Sequence, residues 1–137
     1  MTAISHTIAL DVGDRYVGIA ATDHADAIAY RYATLDRTLL NPFIAIADIV
    51  RAEAIVRIVI GVPYHVEDGS ETAQTAKTKE FIRELQESLS PRVEIVEVDE
   101  TLTSAQARAN LKQEGASEKE EHAEAARLML QEYIQHA

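Results

Sequence analysis

The sequence predicts an α/β fold in which a mixed five-stranded sheet is flanked by helices. Two apolar runs are joined by a tight turn that contains glycine, and a third strand-like run follows them. Two later β-branched runs are each preceded by a segment with helical periodicity. Strands joined by tight turns pair antiparallel, whereas helical crossovers join parallel strands. We therefore expect a three-strand antiparallel meander extended by two parallel strands.

The first half of the chain predicts the meander and one helix. Strands are expected at residues 7–12, 17–22 and 30–35. Gly13 and Gly18 allow tight or positive-φ geometry around the first turn. Asn41 followed by Pro42 is typical of a helix start, because asparagine caps free N–H groups and proline suits the first helical position. That helix is expected to end near Ala54.

The second half predicts the two parallel strands and three further helices. The strands are expected at 55–62 and 93–98, and the helices at 71–89, near 103–115 and after 117. Either Thr103 or Ser104 is expected to cap the second of these helices, and Ser117 with Glu120 forms the capping-box pattern for the last. No repeat or linker interrupts the sequence, so residues 1–137 are expected to form a single domain.

Composition excludes several classes of protein. Hydrophobic residues make up 47% and charged residues 26% of the chain, as in ordinary globular proteins. The absence of cysteine excludes disulfides and thiolate metal sites, and is compatible with a reducing cytoplasm, where we expect the protein. No apolar run is long enough for a membrane helix, and the first residues do not have the pattern of a secretion signal, so we expect neither a secreted protein nor a membrane partner.

The charge of the chain argues against a general nucleic-acid-binding protein. The formal net charge is −10, whereas general nucleic-acid binders are usually basic. This balance still allows an enzyme that contacts nucleic acid locally through metal ions and a few cations. Acidic residues concentrate near the C-terminus, and most of them are expected to form a solvated helix face: Glu114, Glu118, Glu120, Glu121, Glu124 and Glu132.

Asp11 is the most informative residue, because it ends a strand that is otherwise apolar. A buried carboxylate is costly unless it is paired or holds a metal. Glu100 follows the last predicted strand and can project near Asp11 in a mixed sheet, where a third group from the last helix could close the site. Converging carboxylates suit Mg²⁺ or Mn²⁺, and two such ions can promote phosphodiester hydrolysis.

Five sequence blocks, in this order, carry a resemblance to a known family. They are LDVGDRYVGIAATD at 10–23, IVIGVP at 58–63, DGSE at 68–71, VDETLTS at 98–104 and AEAARLMLQEYI at 123–134. Together they resemble the YqgF/RuvX family of RNase H-like proteins, described as Holliday-junction-resolvase-like and as pre-16S rRNA nucleases. The resemblance implies an RNase H-like fold and a hydrolase that uses Mg²⁺ or Mn²⁺ to cleave structured RNA or branched DNA.

The resemblance also implies roles for individual residues. It identifies Asp11 as the first metal-binding aspartate and Glu100 as the second ligand, with Asp99 as another candidate for ligation, or alternatively as a turn cap. His122 stands where the family usually has an aspartate that completes the catalytic set. A neutral imidazole can bind Mn²⁺ or act as a general base, although it suits Mg²⁺ less well than a carboxylate does.

Three further residues are candidates for substrate binding. Arg15, at the predicted hairpin tip, could reach a phosphate or pair with Asp14 or Asp99. Gly69 and Ser70 precede a predicted helix, whose N-terminal N–H groups favour anions. Ser70 is also a good N-cap, which is sufficient to explain it.

These observations leave more than one function open. The first is a metal-dependent nuclease that processes the ends of precursor 16S rRNA, and a resolvase-like DNA nuclease is an alternative with the same chemistry. The histidine at position 122 motivates a catalytically inactive nucleic-acid-binding or assembly module, although Glu118 or Glu121 could replace the missing aspartate. Both a monomer and a homodimer are compatible with the sequence.

Overall fold

The computed structural model describes residues 6–23, 27–100, 103–115 and 117–136, which form a sheet with helices on both faces. The elements are β1 (Thr7–Val12), β2 (Tyr16–Thr22), β3 (Ala29–Asp36), α1 (Pro42–Ala52), β4 (Arg57–Val62), α2 (Ala73–Ser88), β5 (Glu94–Asp99), α3 (Thr103–Glu114), a 3₁₀ turn (Glu118–Glu120) and α4 (Glu121–Gln135). No helix within the described ranges is long and apolar enough to cross a bilayer.

The sheet has the order β3-β2-β1-β4-β5. β1 pairs antiparallel with β2, and β2 pairs antiparallel with β3. β4 lies parallel to both β1 and β5. The predicted meander with two added parallel strands is therefore confirmed, and the carboxyl ends of β1, β4 and β5 meet at one edge of the sheet.

Alternation along β1 divides its side chains between two cores. Ile8 and Leu10 pack on the side covered by α1 and α2, whereas Ala9 packs on the side covered by α4. Because successive side chains of a strand point to opposite faces, Asp11 shares the α4 side with Ala9. The core on that side is built around small residues such as Ala9 and Ala20, so α4 can lie close to the sheet.

Two helix starts differ from the sequence-based expectation. α2 begins at Ala73, because Thr72 and Thr75 form a capping box in which each hydroxyl accepts the other residue's N–H. α4 begins after the 3₁₀ turn, and its N-cap residue, Glu120, makes no side-chain cap bond. The predicted capping box at the start of α4 is therefore wrong, since the Glu120 carboxylate pairs at 3.3 Å with Arg31 instead.

A buried ionic cluster ties α3 and α4 to β3. Glu124 is only 1% exposed, so this member of the acidic C-terminal stretch does not lie on a solvated face as expected. Its carboxylate accepts bonds from Arg31 Nε at 2.8 Å, Asn110 Nδ2 at 2.8 Å and the Arg127 guanidinium at 2.6–2.7 Å. Arg31 also contacts Glu114 at 2.9 Å, which extends the cluster to the end of α3.

We expect Glu124→Gln to lower the free energy of unfolding by about 3 kcal/mol at neutral pH, because two arginines then lose their buried partner. Burial alone would raise the pKa of Glu124, but bonds from Arg127, Asn110 and Arg31 lower it to about 2. The stabilisation is therefore complete above the ordinary glutamate value of 4.5 and decreases as the pH falls toward about 2. Urea unfolding of both proteins between neutral pH and about pH 3 measures this decrease.

Glu132→Gln is the matched control for this prediction. Its carboxylate lies on the same helix but is 78% exposed, so the substitution is expected to have little effect on stability. A difference between wild type and Glu124→Gln that stays constant over the acidic range would contradict the assignment of a low pKa to Glu124.

Candidate active site

Asp11 and Glu100 meet at the sheet edge where β1 and β5 end. The two residues are 4% and 3% exposed. β4 lies between their strands, so Glu100 has to pass over the end of β4 to approach Asp11. Gly61 of β4 leaves the necessary space: a Cβ atom there would lie 2.8 Å from Glu100 Cβ and would collide with the Met129 sulfur. The absence of a side chain at Gly61 therefore allows the two carboxyls to meet.

Each carboxyl is buried in a way that disfavours its charge. The pKa of Asp11 is raised above its ordinary value, mainly because the carboxyl is buried. Hydrogen bonding to Glu100 lowers the pKa in part, and the negative charge of Glu121 raises it further. Burial also raises the pKa of Glu100 well above its usual range, and the Asp11 carboxyl increases the shift. Glu100 Oε2 is buried without a hydrogen-bond partner in the structure. Two adjacent buried acids with an unpartnered oxygen form a site that favours a positive charge.

His122 closes the site from α4. Its Nδ1 atom lies 2.7 Å from Asp11 Oδ2. An ionised carboxylate can only accept hydrogen bonds, so with Asp11 ionised Nδ1 carries the proton and Nε2 is left as an acceptor. The side chain of His122 is 29% exposed, in contrast to 6% for that of Asp11. The imidazole therefore connects the buried carboxyl pair with solvent.

Gly18 allows α4 to lie close enough for this contact. It is paired with Asp11 across the β1–β2 ladder. A Cβ atom at Gly18 would collide with the backbone of His122 and Ala123. The first turn of α4 thus packs directly on the backbone of β2, and this packing places His122 over Asp11.

Gly13 provides the surface on which the imidazole lies. A Cβ atom at Gly13 would be 2.6 Å from both Cε1 and Nε2 of His122. The positive φ considered for Gly13 and Gly18 is not observed, since the described glycines with positive φ are Gly69 and Gly115. Both glycines of the hairpin are required for close approach of α4 rather than for a left-handed turn.

The structure brings together only part of the predicted site. Asp11, Glu100 and His122 converge, whereas Asp99 is exposed at the end of β5. The charge of Asp99 still reaches the site, because it is among the causes that raise the pKa of Glu100. The structure therefore supports Glu100 over Asp99 as the partner of Asp11.

Arg15 has a different partner from those considered. It pairs at 3.2 Å with Asp36 rather than with Asp14 or Asp99, and its side chain is 60% exposed. The cause is the β2–β3 register, in which Tyr16 lies opposite Asp36. This surface pair leaves Arg15 accessible to a substrate, but it does not bring Arg15 to the carboxyl pair.

Gly69 and Ser70 lie in a turn before α2. Gly69 has a φ of +71°, and the N–H of Ser70 donates to Asp68 Oδ1 at 2.9 Å. Ser70 is therefore not the N-cap of α2, because Thr72 takes that place. The N–H of Ser70 is directed to a carboxylate, so this N–H does not form the anion site considered for the segment.

One residue near the site carries no signal in the sequence. Arg37 Nη1 donates to the carbonyl oxygen of Gly13 at 2.9 Å. A single arginine after a strand belongs to none of the sequence blocks above, and its partner lies 24 positions earlier in the chain. Only the tertiary structure associates Arg37 with the site.

The donor set fits a divalent cation held mainly by oxygen. Among the described residues, no group of three or more histidine, aspartate and glutamate side chains is arranged as a complete metal site. Asp11 and Glu100 nevertheless offer two buried carboxylates, and one of their oxygens is unpartnered. Mg²⁺ is commonly bound by one or two carboxylates with water in its other positions, so these two residues could hold such an ion.

Solved structures support the fold. A Thermus thermophilus RuvC structure in complex with a Holliday junction substrate is similar to this chain, with a TM-score of 0.55 at 9% identity. The similarity covers 95% of this chain and 94% of that one. At this identity the likeness concerns the fold alone, which is the RNase H-like fold.

Sequence comparisons identify the family. A protein of Fusobacterium nucleatum named "Putative pre-16S rRNA nuclease" is 34% identical over 132 residues, covering 93% of this chain and 94% of the relative. A relative of the same name from Picosynechococcus is 32% identical over 133 residues, covering 93% and 90%. The model of the RuvX family, described as Holliday junction resolvase, matches residues 5–136. With relatives and family model both covering nearly the whole chain, this protein belongs to the RuvX family.

Proposed function

We propose that the protein is a metal-dependent endonuclease that hydrolyses phosphodiester bonds near the ends of precursor 16S rRNA. The observation that carries the proposal is the Asp11–Glu100 pair, buried at the sheet edge with Glu100 Oε2 unpartnered. The names of the relatives supply the substrate class. The family description supplies the cleavage of phosphodiester bonds.

The proposed cofactor is Mg²⁺ or Mn²⁺, with Asp11 and Glu100 as its protein ligands. A bound divalent cation would supply an activated water and would neutralise charge on the reacting phosphate. The protein contributes a dry, preformed carboxyl pair, because both residues are almost fully buried before any substrate arrives. Asp99 is a less suitable ligand, since it lies exposed at the strand end.

His122 is proposed to accept the proton of the attacking water. With Asp11 ionised, as a metal ligand has to be, Nδ1–H donates to it, which leaves Nε2 as the accepting atom and fixes the orientation of the ring. The close contact with Gly13 restricts the ring further. A histidine held by a carboxylate in this way can serve as a general base, and this function is compatible with the absence of an aspartate at position 122.

Substrate binding is proposed to be weak and strongly salt-dependent. The net charge is −10, and many described cations are already paired with acids, as in the pairs Lys77–Asp14, Lys79–Glu71 and Arg83–Glu80. The bound cation, with a contribution from Arg15, would provide the local positive charge that the phosphate backbone requires.

A four-way DNA junction is the second candidate substrate. The family description and the fold shared with a junction-bound RuvC favour it. Because the same carboxyl pair would act on either substrate, the test is a direct comparison of precursor 16S rRNA with junction DNA. Cleavage of neither substrate, with metal binding absent as well, would favour the non-catalytic module.

Asp11→Asn is expected to reduce cleavage of a precursor 16S rRNA fragment on the order of 10²-fold or more in Mn²⁺. The substitution removes one charged ligand and replaces the charged acceptor that orients His122 with a weaker, neutral one. Folding is expected to be retained, because a neutral amide relieves the repulsion between two buried acids. Cleavage is followed on gels, Mn²⁺ binding by calorimetry and folding by thermal unfolding.

Asp14→Asn is the matched control, because Asp14 lies three positions further along the same hairpin and its side chain is 71% exposed. It is expected to cleave and bind Mn²⁺ as the wild type does. Wild-type cleavage by a folded Asp11→Asn protein would refute the proposed site.

His122→Asp is expected to retain or increase activity with Mg²⁺, because a carboxylate keeps a proton acceptor and adds a hard oxygen ligand. A third acid beside the pair also increases repulsion. The variant is therefore expected to unfold at a lower temperature in chelator and to regain stability when Mg²⁺ is added. His65→Asp, in the exposed loop before α2, serves as the control. A clear loss of cleavage with both metals would show that the imidazole itself is required.

A further inference from the structure

We propose that Arg37 is a positioning residue that holds the β1–β2 turn against the imidazole of His122. The predicted effect on cleavage rests on the proposed nuclease function. The predicted effect on the geometry of His122 does not depend on it.

Arg37 is bonded to both sides of the turn that follows β1. Its Nη1 atom donates to Gly13 O at 2.9 Å, and its backbone N–H donates to Arg15 O at 2.7 Å. Within the turn, the Gly13 N–H donates to Tyr16 O at 2.8 Å. One residue directly after β3 thus holds the first and the last residue of the turn between β1 and β2.

The surroundings of Arg37 indicate that the carbonyl bond is its main polar contact. Its guanidinium lies 5.3 Å from the ring centroid of Phe81, a residue of the α2 core that is 3% exposed. Within the described ranges, no carboxylate oxygen lies within 4.0 Å of the guanidinium. A half-buried arginine without an ionic partner gains little from charge pairing, so its bond to Gly13 O is the interaction that specifies its place.

Gly13 lies between Arg37 and His122. Arg37 approaches from the α2 side, where it packs on Phe81, and the imidazole lies against Gly13 from the α4 side. The space for a Cβ atom at Gly13 is already filled by His122, so a displaced turn would move the ring or open a gap beneath it. Because Asp11 is only two residues before Gly13, the same displacement would alter the Nδ1–Oδ2 bond.

The groove beside Arg37 argues against a direct contact with phosphate. It is lined by three acids and two cations, together with Ala76 and Phe81: Asp14, Glu80, Glu84, Arg37 and Lys77. Lys77 is paired with Asp14, and Glu80 with Arg83. A groove with this balance of charge does not favour a polyanion, so positioning of the turn explains Arg37 better.

Arg37→Met and Arg37→Lys test the proposal together. Methionine keeps an apolar chain over Phe81 but has no donor, whereas lysine keeps one donor for Gly13 O. Arg51→Met is the matched control, because Arg51 is a 71% exposed arginine of α1 that is paired with Asp48. Imidazole ¹H–¹⁵N spectra report the geometry of His122, with its signals assigned from His122→Gln, and steady-state cleavage reports kcat and KM.

Arg37→Met is expected to shift the His122 ring signals, to weaken its Nδ1–H signal and to lower kcat on the order of 10-fold, because small misplacements of a catalytic group are costly. KM is expected to stay within about 2-fold, since no substrate contact is lost. Arg37→Lys and Arg51→Met are expected to keep the wild-type His122 spectrum and a kcat within about 3-fold of the wild-type value. If Arg37→Met does not fold, Arg37→Gln, whose amide is too short to replace the guanidinium, takes its place.

Unchanged His122 signals in a folded Arg37→Met protein would overturn the proposal. A raised KM with an altered salt dependence and an unmoved His122 would also overturn it, and would assign Arg37 to phosphate binding instead. If the wild type cleaves neither RNA nor junction DNA, the proposed function fails, and the His122 spectra alone then decide the positioning role.

Discussion

The burial of two carboxyl groups side by side is the constraint on which the rest of this structure depends. Asp11 and Glu100 are each less than 5% exposed, and the bond from His122 satisfies one oxygen of Asp11, while Glu100 Oε2 has no partner. An arrangement of this kind lowers stability in the absence of a cation, because each buried charge raises the cost of the other. The pair lies at the carboxyl ends of β1 and β5, where α4 covers it and His122 links it to the solvent-exposed surface.

The register of α4 is specified at two neighbouring points, and together they place His122. On one side, the backbone at His122 and Ala123 packs on Gly18 without room for a side chain. On the other, Glu124 is held by arginines and an asparagine from β3, α3 and α4 itself. A helix that slid or rotated would lose the ionic contacts and would collide with β2. The contacts that fix the position of α4 on the sheet therefore also fix the position of His122 over Asp11.

Sequence patterns predicted the architecture well, because each strand and helix has a local signal. The apolar runs and the two crossover segments were sufficient for the mixed sheet, and the aspartate at the end of β1 indicated the site. The pairing of Glu100 with Asp11 could also be predicted, since Asp11 lies near the end of β1 and Glu100 directly follows β5, a strand of the same parallel set. The position of His122 came from the order of the family motifs rather than from any local pattern.

The long-range polar partners could not be predicted, because they depend on the register between distant elements. Arg15 pairs with Asp36 because of the β2–β3 alignment, and the Glu120 carboxylate pairs with Arg31 of β3 instead of capping a helix. The roles of Gly13 and Gly18 depend on how closely α4 approaches, which no turn rule describes. Local sequence specifies which conformations are available, whereas tertiary packing decides which polar partner each side chain finds.

Charge links the buried pair to the substrate. The chain carries 23 acidic and 13 basic side chains, so a nucleic acid is repelled by the protein as a whole. A cation held by Asp11 and Glu100 would offset their mutual repulsion and would present positive charge at the sheet edge where both acids are buried. The positive charge of that cation would then both stabilise the acid pair and attract the substrate. If the proposed site holds a cation, that centre would also provide the main attraction for a phosphate, and productive binding would be restricted to phosphates that reach the sheet edge.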